Sequence, residues 1–346
     1  MSTVRKPRIC LICPCYNEAE VIRLFYNELK PVLNSLQDLD HRIYFMDDGS
    51  ADATLDVLNA MAREDDKVRV YSFSRNFGHQ AAISAGIDVA RGDAVIMMDT
   101  DLQHPPALIK DLIARWREGF DVVSAVRQST KDAGIFKRIS SNGFYWLFNH
   151  MSTTPIITGA ADFCLLSKKA VLALRKLPER HRFLRGMISW IGFRRATIPF
   201  EAPPRAAGHS KYTLFKMINF ALDATFAFSV KPIRMATRLG LLVSCLGLLY
   251  IVYALIRHFV IGDTVPGWSS LLSVVLILGG AQLTFIGVIG EYIARVFEEA
   301  KGRPLYLFKQ RPAKRKKKSK RAASKGESVA APVPAPQSNP ELQTAP

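Results

Sequence analysis

The sequence predicts an α/β domain followed by two membrane-spanning helices. Three observations predict it. Strands and amphipathic helices alternate from residue 8 to about residue 205; polar and acidic clusters fall where the apolar strands end; and two long uncharged apolar runs come afterwards.

The first short apolar run covers residues 9–13. Residues 18–36 then show helical spacing through Val21, Leu24, Phe25, Leu29, Val32 and Leu33. A second strand over 41–46 ends at Asp47-Asp48-Gly49-Ser50, and a helix over 52–63 carries Leu55, Leu58 and Met61 on one stripe. A strand at 68–73, a helix at 80–90 and a strand at 94–98 complete the series. This βαβα order implies a largely parallel sheet with helices on both faces. Ligands of such sheets bind outside the carboxyl ends of the strands. Tyr16-Asn17-Glu18, Asp47-Asp48 and Asp99-Thr100-Asp101 all occupy that position. Of the five cysteines, Cys13 and Cys15 share one face of the first strand and Cys10 faces the other way. That disposition suits small buried hydrophobes in a reducing compartment better than a metal knuckle, which needs a turn.

Beyond Lys211 the character changes. Residues 212–230 are apolar and aromatic, suited to a helix lying in the membrane interface. Residues 239–256 and 268–290 are apolar runs of 18 and 23 residues, each long enough to cross a hydrocarbon core of about 30 Å. Lys231, Arg234 and Arg238 precede the first run, while Arg295, Lys301 and Arg303 follow the second. The positive-inside rule therefore places both chain ends in the cytoplasm. The expected organisation is a catalytic domain at 1–210 and an interfacial segment at 211–234. Two spans follow at 235–295 (about 237–260 and 268–291), then a basic, disordered tail at 296–346. Residues 1–8 are polar and basic, and the apolar run after them is short and broken by Pro14, so no cleavable leader is expected.

The formal net charge is +17, and nine Lys or Arg lie between 311 and 325 with no acid among them. A tail of that kind reads as a solvated or membrane-surface segment, so nucleic acid is not an expected partner. No Gly-x-Gly-x-x-Gly follows the first strand and no Gly-x-x-x-x-Gly-Lys-Ser/Thr occurs. That argues against a dinucleotide dehydrogenase and a P-loop NTPase.

The most specific chemical signal is Asp99-Thr100-Asp101 with Leu102-Gln103-His104 behind it. Two carboxylates at that spacing, ending a strand, suit Mg²⁺ or Mn²⁺ holding a diphosphate. Asp47 and Asp48 could hydrogen-bond a ribose or base edge, or cap the next helix together with Ser50 and Asp52. Asp162 sits in a small-residue turn, where it either faces an acceptor or caps the turn. Arg127, Lys137, Arg138, Arg205 and Lys211 cluster in two loop-like stretches next to the expected membrane entry, where they either meet a phosphate acceptor or stand as solvated surface charge.

Together these stretches resemble glycosyltransferase family 2 with the GT-A fold, and more narrowly its polyprenyl-phosphate glycosyltransferases, such as dolichyl-phosphate mannose synthase and the bactoprenol glucosyltransferases. The motifs are Pro14-Cys15-Tyr16-Asn17-Glu18, Asp47-Asp48-Gly49-Ser50 with Asp52 and Thr54, Ser74-Arg75-Asn76-Phe77-Gly78, Asp99 to Pro105, and Gly208-His209-Ser210-Lys211-Tyr212. Ile289-Gly290-Glu291-Tyr292 with Gly302-Arg303-Pro304 is similar to the bacterial two-span subgroup. The resemblance implies an inverting transfer of one sugar from a nucleotide-diphosphate sugar to a polyprenyl phosphate. UDP-glucose is the first choice of donor. GDP-mannose, UDP-amino sugars and 4-amino-arabinose donors stay open, as does a non-catalytic membrane scaffold. It further implies that Pro14, Tyr16, Glu18, Asp48 and Asp99 hold the nucleotide. Asp99, Asp101 and Gln103 would surround Mg²⁺ or Mn²⁺. Arg127, Arg138, Arg205, Ser210 and Lys211 would meet the phosphates, and Asp101 and Asp162 would be the catalytic pair. Cys164 departs from the larger or basic residue expected in many relatives, which puts donor or acceptor contacts there in doubt. The Gln-x-x-Arg-Trp of processive synthases is missing, which argues against polymerisation. The implied location is the bacterial inner membrane, multi-pass, with membrane lipids as partners and a homo-oligomer left open.

Overall fold

A computed structural model of the chain describes residues 5–128, 160–180, 182–201, 231–256, 259–260 and 267–312. The expected interfacial segment, the tail beyond 312, and the site candidates Lys137, Arg138, Arg205, Ser210 and Lys211 lie outside the described residues.

The element order is β1 (Arg8–Cys15), α1 (Ile22–Ser35), β2 (Asp40–Asp47), α2 (Thr54–Glu64), β3 (Val68–Phe73), α3 (His79–Val89) and β4 (Ala94–Met97). Then come α4 (Ile109–Arg117), β5 (Val122–Arg127), β6 (Ala160–Ser167), α5 (Lys168–Arg175), α6 (Leu184–Trp190) and β7 (Arg195–Phe200). Two long helices, α7 (Lys231–Ile256) and α8 (Trp268–Ala300), precede β8 (Phe308–Gln310). The strands described form one sheet in the order β7-β5-β6-β4-β1-β2-β3-β8.

Strands β4, β1, β2 and β3 are mutually parallel, whereas β6 runs antiparallel to both β4 and β5. The reversal of β6 matters for function. Met97 pairs with Cys164, so the amino end of β6, carrying Asp162, lies at the carboxyl edge of β4. A residue far along the chain thereby reaches the edge where the acidic turns sit.

Alternation along β1 divides the core into two layers. Ile9, Leu11, Cys13 and Cys15 face the buried side chains of α1, α2 and α4. Cys10 and Ile12 face α3, α5 and α6 on the opposite side. The two-faced reading of the cysteines holds, and burial pushes the Cys13 and Cys15 thiols well above their ordinary pKa. They behave as inert packing groups.

Helix α1 starts at Ile22 and not at residue 18 as expected. Asn17 adopts φ 54°, a conformation Asn tolerates better than most residues, and the Glu18 carbonyl accepts the main-chain N–H groups of Val21 and Ile22. Residues 18–21 are thus a turn that satisfies the first orphan donors of the helix.

The apolar runs become helices longer than the runs themselves. Helix α7 already begins at Lys231, inside the segment assigned to the interface, and α8 continues to Ala300, past the expected end of the second span. Charged residues carry α8 on through helical pairs, Arg295 to Glu291 at 3.0 Å and Lys301 to Glu298 at 2.5 Å. The windows 233–250 and 277–300 have a mean hydropathy of 1.4 and bury none of their length within the protein. Leu241, Leu248, Ile277 and Leu283 all stand exposed. Side chains of this kind on helices of this length need a non-aqueous neighbour.

The expectation of a tail beginning at 296 is corrected for its first part. After the turn at Gly302, β8 joins the sheet beside β3, pairing Phe308 with Phe73 and Gln310 with Ser72. The Tyr306 ring stacks on Phe73 at 5.3 Å and its hydroxyl donates to Asp88 at 2.9 Å. The Phe308 ring lies 5.2 Å from Tyr71 and 5.5 Å from Phe73. Glu299 accepts the Arg180 main-chain N–H at 2.7 Å. Sequence reading missed this strap because three residues are too few to show a strand period. Replacing Phe308 with Ala is expected to lower stability by roughly 1–3 kcal/mol. Thermal melting of the detergent-solubilised protein measures it.

Both ends of the α7–α8 hairpin therefore lead to one folded sheet, whose strands come from residues 8–200 and 308–310.

Candidate active site

An open cleft of about 760 Å³ lies at the carboxyl edge of β1, β2 and β4. Pro14, Tyr16 and Glu18 line it from the end of β1, Asp48 from the end of β2, Gly78 and His79 from the start of α3, and Asp99 and Asp101 from the end of β4. Six residues named from sequence (Pro14, Tyr16, Glu18, Asp48, Asp99 and Asp101) therefore come together.

The floor is built by side-chain to main-chain bonds. Asp47 is fully buried and accepts the Ser72 hydroxyl at 2.6 Å and the Ser50 N–H at 3.1 Å. Asp48 accepts the N–H groups of Phe77 at 2.7 Å and Gly78 at 2.9 Å. Neither carboxylate caps α2. Asp52 does the local work there, accepting both the N–H and the hydroxyl of Thr54. Asp48 thus clamps the loop after β3, and burial raises its pKa above the usual carboxylate value. Gly49, at φ 68°, lets that loop pass, because an added Cβ would stand 2.5 Å from the Arg75 carbonyl carbon.

The Asp99 turn has its own restraints. The Thr100 hydroxyl donates to the Pro14 carbonyl at 3.1 Å, which ties the turn to β1. Leu102 sits at φ 61°, a left-handed conformation uncommon for a non-glycine residue and of the sort that clusters at functional sites. Its side chain packs on the core. The Gln103 N–H donates to Asp101 Oδ1 at 3.1 Å, so the contact of Gln103 with the acidic turn runs through its main chain. His104 is buried, stacks on Phe163 at 5.2 Å, and accepts the Asp99 N–H at Nδ1.

The Asp99 carboxylate meets His79 Nε2 at 2.8 Å. Burial opposes its ionisation, but the hydrogen bond and charge of His79, with His104 and Arg185, outweigh burial and hold the carboxyl below its ordinary range. His79 responds in the opposite sense: burial opposes its protonation, and Asp99 and Asp162 nevertheless raise its pKa. Asp162 arrives from β6 and bonds Arg185 Nε, on α6, at 2.6 Å. One ligand atom each from His79, Asp99 and Asp162 lies within 4.8 Å of the others. Two carboxylates and an imidazole at that spacing fit a divalent cation.

Two further residues are placed without being drawn into the cleft. Arg127 ends β5 at the same sheet edge and is exposed. Cys164 is buried and lines a small cavity of about 30 Å³ with Asp162, Arg185 and Ser189, and not the larger cleft. His79, His104 and Arg185 were missed as site residues. A signal for His79 existed, since it follows the Ser74–Gly78 motif directly and opens a helix at the end of β3.

The amino-acid sequence matches known proteins. The model of glycosyl transferase family 2 matches residues 10–174, and that of the GtrB C-terminal hairpin matches residues 231–296. The chain is 41% identical to the SfII prophage-derived bactoprenol glucosyl transferase of Shigella flexneri, over 88% of this chain and 98% of that protein. It is 40% identical to the uncharacterized glycosyltransferase sll0501 of Synechocystis sp., over 86% and 94% of the two chains. Identity to the uncharacterized glycosyltransferase YkcC of Bacillus subtilis is 39%, over 87% and 93%.

These matches define an enzyme of the glycosyl-transferring class. The chain belongs to glycosyltransferase family 2.

Proposed function

We propose that this glycosyltransferase moves a single sugar, with inversion, from a nucleotide-diphosphate sugar to a polyprenyl phosphate at the cytoplasmic face of a bacterial inner membrane. UDP-glucose is the proposed donor and undecaprenyl phosphate the proposed acceptor, in line with relatives named bactoprenol glucosyl transferases. The observation that carries the reading is the union of an acidic cleft with two apolar helices whose following strand returns to the same sheet. A soluble acceptor would need no such hairpin. A polyprenyl chain stays in the bilayer, so its phosphate has to be met at headgroup height.

In this reading Pro14, Tyr16, Glu18 and Asp48 form the nucleotide end of the cleft, and Asp99 and Asp101 face the diphosphate with Mg²⁺ or Mn²⁺. Such a cation neutralises the charge that grows on the departing diphosphate. Asp48 keeps the loop after β3 in place, so the cleft is built before the donor arrives. Arg127, at the same edge, is suited to an acceptor phosphate, and Arg138, Arg205, Ser210 and Lys211 are proposed to join it.

An acceptor phosphate has a second pKa near 6 and is largely ionised at pH 7. It needs little help from a base. Asp162, held by Arg185, is therefore assigned to orienting the acceptor side more than to taking a proton. The basic tail would add attraction to anionic lipids at roughly 1 kcal/mol per residue near the surface.

The test is a panel of radiolabelled nucleotide sugars given to the purified full chain with undecaprenyl phosphate and Mg²⁺ or Mn²⁺. Transfer of label from UDP-glucose into the organic phase is the expected result. Transfer from another donor alone would move the sugar assignment, and no lipid-linked label from any donor would overturn the reading.

A further inference from the structure

We propose that His79 is itself a ligand of the divalent cation, bound beside Asp99 in a set of three that Asp162 closes from the acceptor side. The inference rests on the cation assignment made above and adds to it a nitrogen donor from outside the Asp99–Asp101 turn.

Three separate elements bring the set together. His79 is the first residue of α3, Asp99 follows β4, and Asp162 lies near the amino end of β6. One nitrogen or carboxylate oxygen from each lies within 4.8 Å of the others; His79 and Asp99 line the cleft, and Asp162 lines the small cavity beside it. His79 is no loose surface residue. The carboxylate of Asp48 fixes the two N–H groups just before it, and Gly78 at φ 97° turns the chain into the helix. The ring is therefore delivered to Asp99 by a clamped loop, with 44% of its side chain still exposed.

The spacing suits a shared ion. Adjacent ligands in an octahedral shell, each about 2.1 Å from the ion, lie about 3 Å apart. His79 Nε2 and Asp99 Oδ1 are 2.8 Å apart, so a cation can replace the proton between them with little side-chain movement. The ring then binds through the Nε2 lone pair and keeps its proton on Nδ1. An imidazole also changes selectivity. Nitrogen suits Mn²⁺ better than Mg²⁺, which prefers an all-oxygen shell. His79 thus favours Mn²⁺, where the two carboxylates alone would accept either ion.

The experiment uses the tag-free full chain in detergent, with Mn²⁺ as the probe, alone and with uridine diphosphate. Electron paramagnetic resonance titration reads Mn²⁺ affinity, and pulsed measurements read coupling of Mn²⁺ to a ring nitrogen. The expected result is a ¹⁴N coupling in the wild type that is lost in His79→Ala. Mn²⁺ affinity should fall by about 10-fold or more in that variant, with Mg²⁺ competition weakened less. His79→Gln, which keeps a donor of similar reach, should likewise lose the nitrogen signal, and thermal melting shows that each variant is folded. Bound Mn²⁺ with no nitrogen coupling in the wild type, or unchanged Mn²⁺ affinity in His79→Ala, would overturn the inference. Asp99→Asn separates the two levels. If that variant binds Mn²⁺ like the wild type, or if no Mn²⁺ binds the wild type in either arm, the cation assignment itself falls.

Discussion

Asp99→Asn is expected to lower kcat by at least about 10²-fold while leaving the fold intact. The substitution keeps the shape of the side chain and its capacity to accept from His79. It removes the negative charge at the point where His79 and Asp162 converge. That charge is stabilised in the folded protein, since the Asp99 carboxyl is held below its ordinary pKa despite burial. A binding contact shared by ground state and transition state would show as a raised KM. A charge that counts most as the diphosphate departs shows in kcat. Asp101→Asn is expected to fall comparably far, because Asp101 lines the same cleft. Asp162→Asn is expected to cost less, because an ionised acceptor phosphate does not depend on a base. Steady-state kinetics of the three variants at saturating metal provide the check. An Asp162 variant more damaged than the other two would reverse the assigned roles.

Gly49→Ala carries the largest expected effect on stability, a loss of about 2–4 kcal/mol. Two costs coincide. Gly49 holds φ 68°, where an L side chain is strained, and its new methyl would stand 2.5 Å from one main-chain atom of Arg75 and 2.8 Å from another. The obstacle is backbone, so no rotamer change relieves it. The loop that must retreat is the one Asp48 holds through Phe77 and Gly78 and that presents His79. Lost stability should therefore come with weakened Mn²⁺ and nucleotide binding in whatever protein remains folded. Thermal melting together with Mn²⁺ titration measures both, and a melting temperature within 1–2 °C of wild type would contradict the packing described.

Much of this was legible in the sequence because the signals were local. The strand at 68–73 matches the observed β3, and the other central elements fall within a few residues of their expected places. Period and punctuation suffice for parallel strands buried on both faces. The acidic turns were legible for the same reason, since chain direction alone places the end of each parallel strand at one edge. What escaped depends on contacts between distant segments. The reversal of β6 that brings Asp162 to Asp99 leaves no local trace. The return of Tyr306 and Phe308 to β3 comes from aromatic packing over a separation of more than two hundred residues. Asp48 reads as a ribose ligand or a helix cap until the loop it holds is seen. His79 was passed over because a histidine beginning a helix is ordinary until a carboxylate stands 2.8 Å away.

The strap formed by β8 also has a mechanical consequence. It pairs with β3, the strand that leads directly into the Arg75–His79 loop. The end of α8 is thereby joined to the same strand that delivers His79, within a few residues. A site for a lipid-borne phosphate needs such a fixed relation between membrane depth and cleft.

The most direct test of the central claim is to identify the leaving group. The purified full chain is incubated with UDP-glucose, Mn²⁺ and undecaprenyl phosphate, and the released nucleotide is quantified against lipid-linked sugar. The account predicts uridine diphosphate in equal amount to the glycolipid, with little release when the lipid phosphate is omitted. Uridine monophosphate as the product, or equal release of uridine diphosphate without any acceptor lipid, would contradict it.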